Sequence, residues 1–251
     1  TSRELPAGRI ISVSGDFDAA EIAALAGTLL GKTVRSDFTK EASQRVVRPV
    51  EVVSGPSAEA EEASILLAWD APPVTDLPSY RASVAAARVL QARLRAGLTA
   101  LDSAGQVNCT LVAGPRGARS TLLVRIRIDG RENPARVESQ AVSAVVTMTH
   151  TTLAAMAGKQ AQGEAAAPID DAEADKVTDA IVKESGRLVA SNEYWASVLA
   201  TLCPLGISPD ELANASAHYD SLTGQHLIAA AAGWHERGLR LQLVRVGGSS
   251  R

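Results

Sequence analysis

A chain of 251 residues with 46% hydrophobic content is long enough to bury one substantial core or two small ones, which excludes disorder as the starting expectation. Its net charge of -3 and scattered arginines supply no basic field for counterion release, so nucleic acid is excluded as a partner. No run approaches the roughly 18 consecutive apolar residues of a membrane span, and the two cysteines, Cys109 and Cys203, are too few for a disulfide framework.

The chain opens on Thr1-Ser2-Arg3-Glu4, with neither an initiating Met nor a signal-type apolar stretch, and reads as trimmed from a longer protein. Residues 9–14 predict a short strand. Gly15-Asp16-Phe17-Asp18 then turns it into a helix, with Asp18 as N-cap, Glu21 three residues on and Gly31 as the stop. The polar stretch Lys32 to Arg45 reads as a linker, dividing the chain into residues 1–45, a strand-helix ending a preceding domain, and 46–251, the main domain. Val46 to Val53 and Ser64 to Trp69 are β-rich runs separated by a Ser54-Gly55-Pro56-Ser57 turn and an acidic patch at Glu59, Glu61 and Glu62. After Pro72-Pro73 and Pro78, Leu90, Leu94, Leu98 and Leu101 recur at helical spacing, so a long helix should run from about Ser79 to Leu101 with its apolar face on a sheet.

Gln106 to Ala113 and Thr121 to Ile128 predict a hairpin joined at Gly114-Pro115-Arg116-Gly117. Asn133-Pro134 has the form of an N-cap with Pro at the first helical position, opening a helix to about Ala157; a polar insert from Gly158 to Pro168 follows. Val177, Ile181, Leu188, Trp195 and Leu199 predict one long helix from about Asp171 to Leu202, with Gly186 its weak point and Pro204 its stop. Two short helices, Pro209 to Tyr219 and Gly224 to Glu236, precede a last strand, Leu239 to Val246, that alternates Leu239, Leu241 and Leu243 with Arg240 and Gln242. Hairpins forbid a purely parallel sheet. The order of elements therefore predicts an α+β fold, an antiparallel sheet with helices packed on one face.

The chemistry-bearing residue types do not assemble into a known catalytic pattern. Gly27 to Thr33 imitates a phosphate-cradling loop, but has one spacer too few and lies at the negative end of its helix. His150, His218, His226 and His235 contain no i,i+4 pair for a metal, and no Gly-x-Ser-x-Gly turn presents a nucleophile. Cys109 lies between Val107 and Leu111 on the core face of its strand and reads as a small buried hydrophobe.

The order of local phrases resembles the C-terminal half of the pitrilysin and insulysin zinc peptidases, relatives of mitochondrial processing peptidase. The resemblance begins with Ile11 to Asp18 and continues through the helix bearing Leu90, Arg93 and Leu94, Ala113-Gly114-Pro115-Arg116, and Asn192-Glu193-Tyr194-Trp195, to Tyr219-Asp220-Ser221-Leu222-Thr223. It implies a non-catalytic C-terminal module, with an antiparallel sheet backed by helices. The family's His-x-x-Glu-His motif, which puts two imidazoles and a base on one helix, is absent here, as the resemblance implies for this half. Active members carry an Arg and then a Gly-Tyr pair that grip substrate backbone. The corresponding stretch, Thr99 to Asn108, has neither Arg nor Tyr.

The resemblance thus implies a half that closes a peptide-binding chamber against a catalytic half outside this chain, with no cofactor here and zinc in the catalytic half of an active parent. Its partners would be that N-terminal half or a partner subunit, and unfolded peptides. The alternative it implies is an inactive structural subunit of a larger organellar assembly. Soluble bacterial relatives make the periplasm the expected compartment, with the mitochondrion or another organelle as the alternative. Strand alternation places Gln106, Asn108 and Thr110 on the face away from the helices, and these are the expected chamber-facing positions.

Overall fold

The computed structural model describes residues 15, 17–30, 51–57, 62–101, 105–114, 119–129, 139–159 and 167–247. The chain divides into two compact units, one of residues 1–47 with 186–213 and one of 48–185 with 214–251.

The larger unit is built on a five-stranded sheet. Its strands are β1 (Glu51–Ser57), β2 (Glu62–Ala71), β3 (Gly105–Ala113), β4 (Ser120–Asp129) and β5 (Leu239–Gly247), in the spatial order β1-β5-β2-β4-β3. Four strands, β5-β2-β4-β3, are antiparallel, and β1 joins the edge parallel to β5. The Ser54-Gly55-Pro56-Ser57 stretch expected as a turn is the second half of β1, with Pro56 opposite Val246. A proline has no N–H to donate, and among the described residues β1 has a neighbour on one side only, so an edge strand tolerates it.

Alternation decides what each strand buries. Ile65, Leu67 and Trp69 of β2, Val107 and Cys109 of β3, and Leu122, Val124, Ile126 and Ile128 of β4 are buried together with the helices. Over them lies α2 (Leu77–Ala100), whose Leu90, Leu94 and Leu98 enter the core at the expected spacing. Asp76 caps it, accepting from the Ser79 N–H, and Pro78 sits in the first turn where no donor is missed. Leu101 falls just past the end and is exposed.

Around α2 pack α3 (Ser139–Met156), α4 (Asp171–Leu188), α7 (Ala215–Asp220) and α8 (Gly224–Arg237). A Cβ at Gly97 would collide with the sulfur of Met148, so α2 and α3 cross closely only because position 97 has no side chain. Arg93 of α2 grips Glu173 of α4 bidentately at 3.0 and 2.5 Å and donates to the carbonyls of Ala167 and Pro168 at 2.7 and 3.2 Å. This fork of donors fixes the start of α4. Asp171 then accepts from the Gly224 N–H at 3.0 Å, linking that start to the first residue of α8.

In the other unit, α1 (Ala19–Leu30) carries the expected cap: Asp18 Oδ1 accepts from the N–H groups of Ala20 and Glu21 at 2.7 and 3.4 Å. The strand expected at residues 9–14, the Gly31 stop and the 32–45 linker lie outside the described residues. So does the Asn133-Pro134 cap. The long helix expected over 171–202 is two: α4 ends at Leu188, and α5 (Asn192–Leu202) restarts after an extended Ser191. Ser191 supplies the break by accepting from the Tyr194 N–H at 3.4 Å, and the Trp195 indole donates to the Val189 carbonyl at 2.8 Å. Helical periodicity continues through the break, but the cap residue outweighs it. The helix expected over 209–219 is likewise split, into α6 (Pro209–Ala213) and α7.

Candidate functional site

The helices among the described residues of the sheet unit pack on the face that carries Ile65, Leu67 and Trp69, and register gives the pattern on the opposite face. Leu241, Ala68, Leu123 and Thr110 form one row across β5, β2, β4 and β3; Leu243, Leu66, Arg125 and Asn108 form the next; Ser64, Arg127 and Gln106 lie in a third. Leu66, Leu123, Leu241 and Leu243 are half-buried, while Arg125 and Arg127 are exposed. The face is therefore graded, apolar over β5, the middle of β2 and Leu123 of β4, and polar over β3 and the rest of β4.

Gln106, Asn108 and Thr110 are exposed on this face, with Val107 and Cys109 buried on the other. The Thr110 hydroxyl donates to Asn108 Oδ1, as residues two apart on one side of a strand can. Sequence reasoning missed the leucines. A bulge between Ala68 and Trp69 skips Arg240, so Leu239 packs against the core while Leu241 and Leu243 face the other way. The skipped Arg240 pairs with the Asp70 carboxylate.

At the sheet edge, β3 is partly closed by α2. Gln91 Oε1 accepts from the Cys109 N–H at 2.9 Å, and Arg95 donates to the Val107 carbonyl at 3.2 Å. Two outward backbone groups that would otherwise template another strand are thus satisfied within the chain. Burial pushes the Cys109 thiol up to about 12, against the weaker opposing pull of Arg95, so this cysteine is an inert hydrophobe.

The histidines are dispersed. His150 meets Trp69 edge-on with ring centroids 5.9 Å apart, and burial, reinforced by nearby His235, holds its pKa below the ordinary value. His218 and His226 line a groove of about 440 Å³ among α2, α7 and α8, with Arg81, Ser83 and Arg237. Among the described residues, no three His, Cys, Asp or Glu side chains converge to hold a metal ion. Nor is any helix among the described residues long and apolar enough to cross a membrane.

Solved structures place this architecture. A protein from Yersinia pestis named as an insulinase family protease matches at a TM-score of 0.60 and 17% identity, over 94% of this chain and 50% of that one. This chain has the insulinase-type fold. The periplasmic protease PqqL of Escherichia coli matches at 0.64 and 14% identity, over 92% of this chain and 24% of that one. The inactive peptidase domain of a Bordetella parapertussis protein named as a zinc protease matches at 0.58 and 13% identity, over 78% of this chain and 96% of that domain. The chain thus spans about half the length of the Yersinia protein and about a quarter of PqqL. No protein-family model and no curated protein sequence matches it. The fold agrees with the pitrilysin-like resemblance read from the sequence, and the α+β arrangement is the one expected.

Proposed function

We propose that this chain is the non-catalytic half of a pitrilysin-like zinc peptidase, closing a peptide-binding chamber against a catalytic half outside it. The observation that carries the reading is the graded sheet face. Its leucines offer contact to the apolar side chains of an unfolded peptide, and Gln106, Asn108 and Thr110 offer hydrogen bonds to its backbone. Chemistry would come from the other half, because this chain brings no base, nucleophile or metal set together among its described residues. The proposed compartment is the periplasm, as for PqqL.

The inactive Bordetella domain favours a second reading, in which this half serves only as a scaffold within a larger assembly. Binding separates the two. The purified chain incubated with zinc and a quenched peptide is expected to give no hydrolysis above blank, yet to bind a labelled unfolded peptide by fluorescence anisotropy. Chelator-sensitive cleavage would overturn the non-catalytic assignment, and absence of binding would leave the scaffold.

A further inference from the structure

Arg125 stands midway along β4 on the open face of the sheet, the one opposite the helices, with β2 on one side and β3 on the other. Register fixes its surroundings. Leu66 of β2 and Asn108 of β3 lie directly across from it, and Leu123 and Arg127 are its same-face neighbours along β4. The diagonal positions, Ser64, Ala68, Gln106 and Thr110, are uncharged. No carboxylate adjoins Arg125 in this register. The side chain is exposed, and among the described residues it makes no ion pair or hydrogen bond. Arg127 is already engaged within the chain, so of the two cations Arg125 is the unmatched one.

Covering this face has an electrostatic consequence. A peptide whose apolar side chains settle on the half-buried Leu66 and Leu123 also displaces water from the guanidinium beside them. A cation stripped of water without a counter-charge is costly, so a neutral occupant loses affinity and a basic one loses more. A carboxylate over Arg125 removes that cost and can accept two parallel N–H bonds from the guanidinium. Selection then comes as much from rejecting cations as from attracting anions.

Spacing follows from the same register. Along β4, Leu123 and Arg125 are two residues and about 7 Å apart, and the point midway between Leu243 and Leu66 is one and a half strand spacings from Arg125, again about 7 Å. Same-side residues of an extended peptide are also about 7 Å apart. Whether it runs along the strands or across them, a peptide meets leucine and arginine together with an apolar and an acidic residue separated by one other.

We propose that the open face selects peptide segments of the form apolar-x-Asp or apolar-x-Glu, with Arg125 as the specificity-determining residue that receives the carboxylate. This selectivity rests on the proposed peptide-binding role of the face and adds to it the class of segment that is held.

The test is fluorescence anisotropy of the 251-residue chain with labelled, unfolded peptides that share a leucine-containing Gly-Ser background, are blocked at both ends, and carry Leu-Ser-Asp, Leu-Ser-Asn or Leu-Ser-Lys at the centre. Blocking leaves the Asp side chain as the only carboxylate. In low salt the Asp peptide should bind about fivefold more tightly than the Asn peptide, the scale of one exposed ion pair, and the Lys peptide more weakly than either. Added salt should shrink these ratios by screening.

Arg125→Gln should bring the Asp-to-Asn ratio to about one, because the charge that sets it is gone. Arg125→Glu should invert the order and favour the Lys peptide, which a variant that had merely lost its structure could not do. The position is exposed, and circular dichroism would establish that both variants are folded. Equal binding of the Asp and Asn peptides by the wild type, or an unchanged ratio in Arg125→Gln, would overturn the selectivity and leave peptide binding at the face standing. Binding of none of the peptides would overturn both.

Discussion

The two faces of the sheet are made by the same strands and could hardly differ more. On one, Ile65, Leu67, Trp69, Leu122, Val124, Ile126 and Ile128 are buried to the last few square ångströms beneath α2 and α8. On the other, the residues between them alternate from half-buried leucines over β5 and β2 to exposed Arg125, Arg127, Gln106 and Asn108. Antiparallel sheets commonly leave one face wet, and then the exposed side chains are uniformly polar. Here four half-buried leucines, Leu66, Leu123, Leu241 and Leu243, remain among them.

The largest effect should come from the covered face. Trp69→Ala removes a side chain that is 1% exposed and contacts His150 edge-on, so unfolding in urea should show a loss of about 3–5 kcal/mol. Leu243→Asp, on the open face, should cost about 1 kcal/mol in the same assay, a strand-propensity effect. If the chamber reading holds, it should also weaken binding of a labelled unfolded peptide about tenfold or more. A stability loss comparable to that of Trp69→Ala would show that the open face is core after all. Unchanged peptide affinity would make it an ordinary solvated face.

The last effect is a pH dependence on the covered face that is silent at neutral pH and emerges only in alkali. Burial raises the Cys109 thiol from 9.0 to about 12, so folding favours the neutral form. The resulting stability is fully present below pH 9 and lost as pH rises toward 12. Urea midpoints of the wild type should fall over that window more steeply than those of Cys109→Val. Parallel curves would mean that the thiol is more open than the structure has it.

This contrast was half readable from the sequence. Strand alternation placed Gln106, Asn108 and Thr110 outside and Val107 and Cys109 inside, because β3 is regular and its period is uninterrupted. The same rule could not assign Leu239, Leu241 and Leu243. A bulge is a relation between two strands, and the alternating leucines give no sign that Arg240 is skipped opposite Ala68 and Trp69. Helical period likewise carried across Ser191, where a single capping hydroxyl ended the helix. The groove was not readable at all. Arg81, Ser83, His226 and Arg237 are brought together by packing, and the small stripe at Ala229, Ala230 and Gly233 is the one local hint on α8.

The place of β5 also sets a timetable for the growing chain. Strands β2, β3 and β4 can pair once Asp129 has been made, whereas β5, which fits between β1 and β2, begins only at Leu239. Through the synthesis of α3, α4, α5, α6, α7 and α8, β2 therefore keeps an unpaired flank, and β1 lacks the one partner it has among the described strands. At translation rates of about 5–20 residues per second, that is an interval of seconds in which a sticky strand margin is open to other chains. The final strand then closes the sheet by insertion rather than by addition at its rim, a long-range pairing of the kind that slows folding. A ribosome stalled shortly before Leu239 would hold the nascent chain in its most aggregation-prone form.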